Sequence, residues 1–104
     1  MRLTKSLMGQ TLTIRLEGEL DHHSAESIRT LIDNEIAESG CTDLILDMEG
    51  VTFMDSSGLG VILGRYRLLN SQGGTLSICG ANSTVERILR MSGLYSLIRK
   101  IEKA

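Results

Sequence analysis

The sequence predicts an α/β domain in which a small mixed sheet, of about five strands, packs against helices. Segments with a period of two alternate with segments whose apolar residues recur at helical spacing, in the order strand, strand, helix, strand, helix, strand, helix, strand. Strand–helix–strand units favour right-handed crossovers and parallel pairing in the middle of a sheet. The chain has 104 residues, of which 41% are hydrophobic and 23% charged, so it fits one globular domain over residues 1–104.

The first half of the chain contains a hairpin, a helix and a buried strand. Residues 11–18 alternate apolar and polar side chains, as a half-buried strand does, and Gly9-Gln10 separates them from a weaker alternating segment. A helix is predicted after Ser24, with Gly40 in the left-handed position that ends it. Residues 43–48 form a nearly continuous apolar run, typical of a strand buried on both faces. The helix is indicated by the spacing of Ala25, Ile28, Ile32 and Ile36.

The second half continues with two helices and two strands. A helix beginning near Gly58 and ending at Gly73-Gly74 is predicted to bury one side, and residues 75–79 alternate again. Ser83 and Glu86 match a capping box at the start of the last helix, which ends at Gly93. A final strand is expected within residues 97–101. The predicted buried side of the second helix consists of Leu59, Ile62, Leu63, Tyr66 and Leu69.

Composition argues against several classes of protein. A net charge of −2, 3% aromatic residues and no Trp do not support nucleic-acid binding. No apolar run is long enough to span a bilayer, and the first ten residues lack the apolar core of a secretion signal, so we expect no membrane contact. Cys41 and Cys79 are too few for a metal cluster and are expected to be unbridged in a reducing cytoplasm. We therefore predict neither a metal nor a cofactor.

The stretch FMDSSGLGVILGRY, residues 53–66, carries a serine pair whose role decides the function. The simplest interpretation is that Ser56 or Ser57 is the N-cap of the following helix. A hydrolytic nucleophile is not favoured, because neither serine fits the G-x-S-x-G pattern. A phosphate cradle would use Gly58 and Gly60, but their spacing matches neither common glycine-rich motif, and Gly60 with Gly64 more simply marks a helix face packed against the sheet.

A fourth interpretation makes the serine the target of another enzyme. A hydroxyl at an exposed helix N-terminus lies at the positive end of the helix dipole, where an added phosphate would meet free N–H groups. The added charge of about −1.5 to −2 would change the surface without unfolding the domain. The site is therefore a plausible switch for partner binding.

The residues GELDHHSAE at 18–26, FMDSSGLGVILGRY at 53–66 and MSGL at 91–94 resemble, in this order and spacing, the anti-sigma factor antagonists of the STAS domain family. The similarity covers essentially the whole chain and is strongest to the sporulation members, which we expect to run somewhat beyond Ala104. It implies a protein, not itself an enzyme, that releases a sigma factor by binding the anti-sigma factor, a serine kinase with ADP or ATP bound. General stress-response members and a small nucleotide-binding domain are the alternatives.

The resemblance also implies the roles of particular residues. Ser56, the first serine of the D-S-S-G block, would be phosphorylated by the kinase and restored by a serine phosphatase. Asp21 would be presented to the kinase beside the phosphorylation loop, although it also fits a cap for the first helix. The free protein is expected to be a monomer. The remaining predicted partner-binding residues are His22, His23, Asp55, Ser57, Gly58, Leu59, Gly60 and Ile62, although the two histidines also fit polar surface and Leu59 and Ile62 also fit the core.

Overall fold

The computed structural model describes residues 1–103 and contains the predicted elements in the predicted order. A single turn of 3₁₀ helix over Leu94–Ser96 separates the last α-helix from the last strand. The other elements are β1 (Arg2–Met8), β2 (Thr11–Leu20), α1 (Ala25–Ser39), β3 (Asp43–Met54), α2 (Ser56–Ser71), β4 (Thr75–Cys79), α3 (Ser83–Met91) and β5 (Arg99–Lys100).

The five strands form one mixed sheet in the order β1-β2-β3-β4-β5. β1 is antiparallel to β2, and every other neighbouring pair is parallel. The short turn at Gly9-Gln10 joins β1 to β2, as the hairpin prediction required. The mixed sheet and its parallel centre are therefore confirmed, with β3 longer and β5 shorter than the sequence suggested.

The core lies on one face of the sheet, where alternate residues of neighbouring strands pair. Leu12 lies opposite Leu44 and Ile14 opposite Leu46, and all four are at most 1% exposed. Each such burial contributes roughly 1.5–3 kcal/mol relative to an exposed side chain. The helices complete this core with buried residues that include Ile28, Ile32 and Ile36 of α1, Val61, Ile62 and Leu69 of α2, and Val85 and Leu89 of α3.

The opposite side of β3 is polar, so the prediction of apolar burial on both faces is only half right. Asp47 is 6% exposed, and its carboxylate lies 3.0 Å from Lys103 Nζ and 3.7 Å from Arg15 Nη1. Burial alone would raise the pKa of Asp47, but the amide of Glu49 and these cations together hold it below its usual value. An ion-paired acid thus occupies a position at which the pattern suggested an apolar side.

The helix ends agree with the sequence in one case and differ in another. Gly40 adopts φ 63° and ends α1, as predicted. The predicted capping box of α3 is wrong, because Asn82 is the N-cap and its side chain accepts the N–H of Val85 at 2.8 Å. Glu86 accepts hydrogen bonds from Tyr95 and Lys100 instead of turning back to the helix start.

Cys41 and Cys79 are both buried, and neither takes part in a disulfide in this structure. Burial raises the pKa of the Cys79 thiol, and the neighbouring carboxylate of Asp47 adds to the effect. Both sulfurs therefore behave as small apolar groups. Among the described residues, no helix combines the length and hydrophobicity needed to cross a bilayer.

Candidate functional site

The candidate site forms where two parallel strands end at the same edge of the sheet. Leu20, the last residue of β2, pairs with Met54, the last residue of β3. The amide of Asp55 donates to the carbonyl of Leu20 at 3.3 Å and continues this contact into the next loop. The loop that begins at Asp21 and the start of α2 at Ser56 are therefore neighbours, although 35 positions separate them in the sequence.

Asp55, and not a serine, is the N-cap of α2. Its backbone is extended, with φ −118° and ψ −169°, and its Oδ1 accepts the N–H of Ser57 at 2.8 Å. The prediction that Ser56 or Ser57 caps the helix is therefore wrong, since the aspartate already reaches the first-turn amide. Ser56 becomes the first residue of α2 and is exposed, whereas Ser57 is half-buried.

The backbone of Asp55 also accepts hydrogen bonds from the two amides that follow Ser57. Its carbonyl accepts the N–H of Gly58 at 3.0 Å and that of Leu59 at 3.4 Å. A phosphate on Ser56 would therefore find these amides, and that of Ser57, already bonded, contrary to the expectation of free N–H groups. The helix dipole remains, but its positive end is already faced by the Asp55 carboxylate.

Asp21 organises the turn that leads into α1. Its Oδ1 accepts the N–H groups of His23 at 2.9 Å and Ser24 at 3.1 Å, and its carbonyl accepts the N–H of Ala25. Desolvation would raise the pKa of Asp21, but these two amides together outweigh it and hold the pKa below its usual value. The carboxylate is thus fixed and charged at neutral pH, in the turn before the helix and not at the N-cap position, Ser24.

The two histidines are exposed beside the carboxylates of Asp21 and Asp55. The rings of His22 and His23 lie 3.9 Å apart between centroids, and Nδ1 of His22 lies 3.9 Å from Oδ2 of Asp55. Within residues 1–103 no group of three potential ligands is arranged to hold a metal ion. Both histidines are therefore polar surface next to the N-terminus of α2.

The glycines and apolar residues of α2 divide between core and surface differently from the prediction. Gly58 is buried, and a Cβ there would lie 2.5 Å from Cγ of Met54, whereas a Cβ at Gly60 or Gly64 would meet no atom within 4 Å. It is therefore Gly58, and not the pair Gly60 and Gly64, that marks the close approach to the sheet. The side chain of Ile62 is fully buried, so its predicted contact with a partner is wrong and its core role is confirmed.

An open cavity of about 490 Å³ lies between α1 and α2, beside Ser57. Arg29 and Glu26 supply charge on the α1 side, and neither was singled out from the sequence. They lie on the exposed side of an amphipathic helix, where a periodic pattern does not distinguish a binding residue from an ordinary surface residue. The cavity is lined by Ala25, Glu26, Arg29, Ser57, Gly60 and Val61.

The family model of the STAS domain matches residues 4–104. The chain belongs to the STAS domain family. This STAS domain is 47% identical over 87 residues to the anti-sigma F factor antagonist of Paenibacillus polymyxa, covering 84% of this chain and 74% of the relative. It is 42% identical to that of Lysinibacillus sphaericus (82% and 73% covered). It is 32% identical to the anti-sigma-B factor antagonist of Bacillus subtilis strain 168 (84% and 78% covered).

Two solved structures of SpoIIAA have the same fold as this STAS domain. The anti-sigma factor antagonist SpoIIAA in its unphosphorylated form superposes with a TM-score of 0.83 at 35% identity, covering 99% of this chain and 89% of that one. The phosphorylated form of the Bacillus SpoIIAA superposes with a TM-score of 0.76 at 34% identity, covering 99% and 92%. The STAS domain is thus an anti-sigma factor antagonist by family, as its three sequence motifs indicated.

Proposed function

We propose that the unphosphorylated protein binds the anti-sigma F factor, a serine kinase holding ADP or ATP, and thereby releases sigma-F to start sporulation transcription. Phosphorylation of Ser56 by this kinase ends the interaction, and a serine phosphatase restores it. The protein acts in the cytoplasm, is a monomer when free and performs no catalysis of its own. The higher identity to anti-sigma F antagonists than to an anti-sigma-B antagonist favours the sporulation factor over the stress-response alternative.

The observation that carries this proposal is the position of the Ser56 hydroxyl. Ser56 is exposed on the first turn of α2, directly after the capping Asp55 and at the sheet edge where the Asp21 loop begins. Ser57 is half-buried, and its amide is held by Asp55. A kinase approaching this edge therefore meets the first hydroxyl more readily than the second, which agrees with the acceptor that the family resemblance implies.

Fixed negative charge beside the acceptor suits a basic kinase surface. Asp21 and Asp55 both face this edge, and oppositely charged groups across an interface steer association and fix its register. We assign His22, His23, Ser57, Leu59 and Gly60 to the same contact. Phosphorylation would add about −1.5 to −2 charges to this acidic edge, next to a partner surface that accommodates a neutral hydroxyl.

The nucleotide-binding alternative has less support. Gly58 is packed against Leu20 and Met54, so its backbone does not line an open loop. Gly60 lies inside α2, where its amide belongs to the helix. The two glycines therefore do not form the exposed backbone cradle that a phosphate requires.

Mass spectrometry after incubation with ATP and the host's anti-sigma F factor tests the proposal. One phosphate should appear on Ser56 in the wild type and in Ser57→Ala, and none in Ser56→Ala. Phosphate on Ser57, or a Ser56→Ala variant modified to the wild-type extent, would refute the assignment. A parallel incubation with labelled nucleotide and no kinase should give no binding, and stoichiometric binding there would support the nucleotide-binding alternative.

A further inference from the structure

The MSGL motif at residues 91–94 lies beside α2 and contributes to a second concavity. Gly93 and Leu94 begin the 3₁₀ turn that follows α3, and this turn faces the exposed side of α2. We call the concavity the apolar groove. Its principal lining residues are Leu59, Gly60, Leu63, Gly93, Leu94 and Leu97.

The chemistry of the groove suits an aliphatic or aromatic side chain. Four leucines and two glycines line it together with Ser92, and no ionisable side chain takes part. Leu97 is 52% exposed at its edge, so apolar surface is left in contact with water. The volume is about 260 Å³, below the range of roughly 300–1,000 Å³ typical of small-molecule sites. One or two side chains of another protein fit this volume and chemistry better than a cofactor.

The groove is continuous with the phosphoacceptor surface. Gly60 lines both the apolar groove and the cavity beside Ser57, and its missing side chain leaves no barrier between them. Leu59 and Gly60 follow Ser56 by three and four residues, and Leu63 follows them by four and three, so all four lie along one face of α2. A partner that reaches the hydroxyl of Ser56 along this face therefore also lies over the groove.

The far wall of the groove is held in place before any partner arrives. Tyr95, in the same 3₁₀ turn as Leu94, donates its hydroxyl hydrogen to Glu86 of α3. Glu86 also pairs with Arg90 and Lys100, and the guanidinium of Arg90 lies 5.6 Å from the centre of the Tyr95 ring. A wall fixed in this way loses little conformational entropy on binding, which favours affinity.

We propose that the apolar groove receives an apolar side chain of the same anti-sigma factor kinase that phosphorylates Ser56. This inference rests on the proposed function and extends its contact along α2, from the acidic edge into an apolar surface. The polar contacts around Asp21 and Ser56 fix how the kinase is aligned on this protein. The groove adds apolar burial that does not depend on the phosphorylation state. A second copy of this chain is the competing occupant.

A pair of matched leucine variants tests the groove. Leu97, 52% exposed, lies in it, whereas Leu31, 48% exposed, lies on α1 outside it. In calorimetric titrations with the ADP-bound anti-sigma F factor, Leu97→Ser should weaken binding roughly five- to tenfold. Leu31→Ser should change binding by less than about twofold. Equal affinities for the two variants would overturn the groove proposal, and a wild type that does not bind the kinase would overturn the proposed function instead.

A fluorescent label keeps the test informative if Leu97→Ser does not fold. A Leu97→Cys protein can be labelled selectively with an environment-sensitive dye, because Cys41 and Cys79 are each only 5% exposed. The emission should shift to the blue when the kinase is added, and a dye at Leu31→Cys should not respond. An unchanged Leu97→Cys signal in a formed complex would refute the proposal.

Sedimentation of the wild type alone should give a monomer, whereas a dimer lost in Leu97→Ser would show that a second copy occupies the groove.

Discussion

Gly58→Ala and Gly60→Ala should change stability in opposite directions, although the two residues share a helix. A Cβ at Gly58 would lie 2.5 Å from Cγ of Met54 and 2.9 Å from both Cγ and the carbonyl oxygen of Leu20. The methionine can move, but the carbonyl belongs to the strand pairing that places Asp21 next to α2. A Cβ at Gly60 meets no atom within 4 Å. The two substitutions therefore differ in packing and not in chemistry.

The expected magnitudes follow from these contacts. Overpacking of a filled core costs about 1–3 kcal/mol, and replacing a helical glycine by alanine returns about 0.5–1 kcal/mol. Gly58→Ala should thus lower the free energy of unfolding by roughly 0.5–2 kcal/mol, which lowers the melting temperature by roughly 2–15 °C. Gly60→Ala receives only the helical gain, so its melting temperature should rise by roughly 2–8 °C.

Thermal unfolding of the wild type and the two variants, followed by circular dichroism, measures the difference. Gly64→Ala is a second control, because a Cβ there also meets no atom within 4 Å. If Gly58→Ala proves as stable as Gly60→Ala, the close packing of α2 against β2 is not as described. Phosphorylation of Ser56 should also slow in Gly58→Ala, because the end of β2 and the start of α2 are forced apart.

Two further predictions concern carboxylates. Asp21→Asn should keep the turn, because the side-chain amide oxygen still accepts the N–H groups of His23 and Ser24. The lost negative charge should weaken kinase binding about tenfold. An unchanged affinity in pull-downs would refute the contact between Asp21 and the kinase. Burial would raise the pKa of Glu86, but hydrogen bonds from Lys100 and Tyr95 hold it below its usual value of 4.5. The stabilisation that the Glu86 carboxylate gives the folded state is therefore complete above that pH and is lost as the group is protonated in acid. Glu86→Gln should therefore be less stable than wild type by about 1–3 kcal/mol at pH 7, and equal melting temperatures there, or a gap persisting at pH 2, would contradict this.

The order of elements was predictable because each local pattern agrees with the tertiary structure. The alternation in β2 and the isoleucine spacing in α1 place Ile14 and Ile32 in the core, where both are fully buried. The proximity of Asp21 to Ser56 did not follow from any local pattern. It results from the parallel pairing of β2 with β3, which brings the two strand ends to one edge, and from the sequence alone only the family resemblance indicated it.

The helix caps were mispredicted for a common physical reason. In both α2 and α3 an Asp or Asn immediately precedes a serine, so two adjacent side chains are able to cap the first turn. Asp55 and Asn82 take that role in the structure. Asn82 also donates to the carbonyl of Val51 at 3.1 Å, a tertiary bond that fixes its orientation. Such a bond has no signal in the local sequence, and it favours Asn82 over Ser83 as the cap of α3.

The buried side of α2 was partly misassigned because one polar residue lies within it. Arg65 is 8% exposed, and its Nε lies 2.8 Å from Oδ1 of Asp33 on α1. Periodicity based on apolar residues selects Tyr66 in preference to Arg65, although Tyr66 is only half-buried. The ion pair makes this burial tolerable, and its partner lies 32 residues away, outside any helical window.

If Ser56 is phosphorylated as proposed, the geometry around it predicts an effect on partner binding with the fold retained. A phosphate at the first residue of α2 gains a few tenths to about 1 kcal/mol from the helix dipole, and the carboxylates of Asp55 and Asp21 oppose that gain, so stability changes little. In the proposed complex the same charge would be enclosed against a surface that has no partner for it, and an uncompensated buried charge costs about 3–5 kcal/mol. Structures of SpoIIAA in the unphosphorylated and the phosphorylated form both superpose on this fold. The amides of Ser57, Gly58 and Leu59 are already bonded to Asp55. We therefore expect a phosphate on Ser56 to leave the helix unchanged and to lower the affinity for the partner instead.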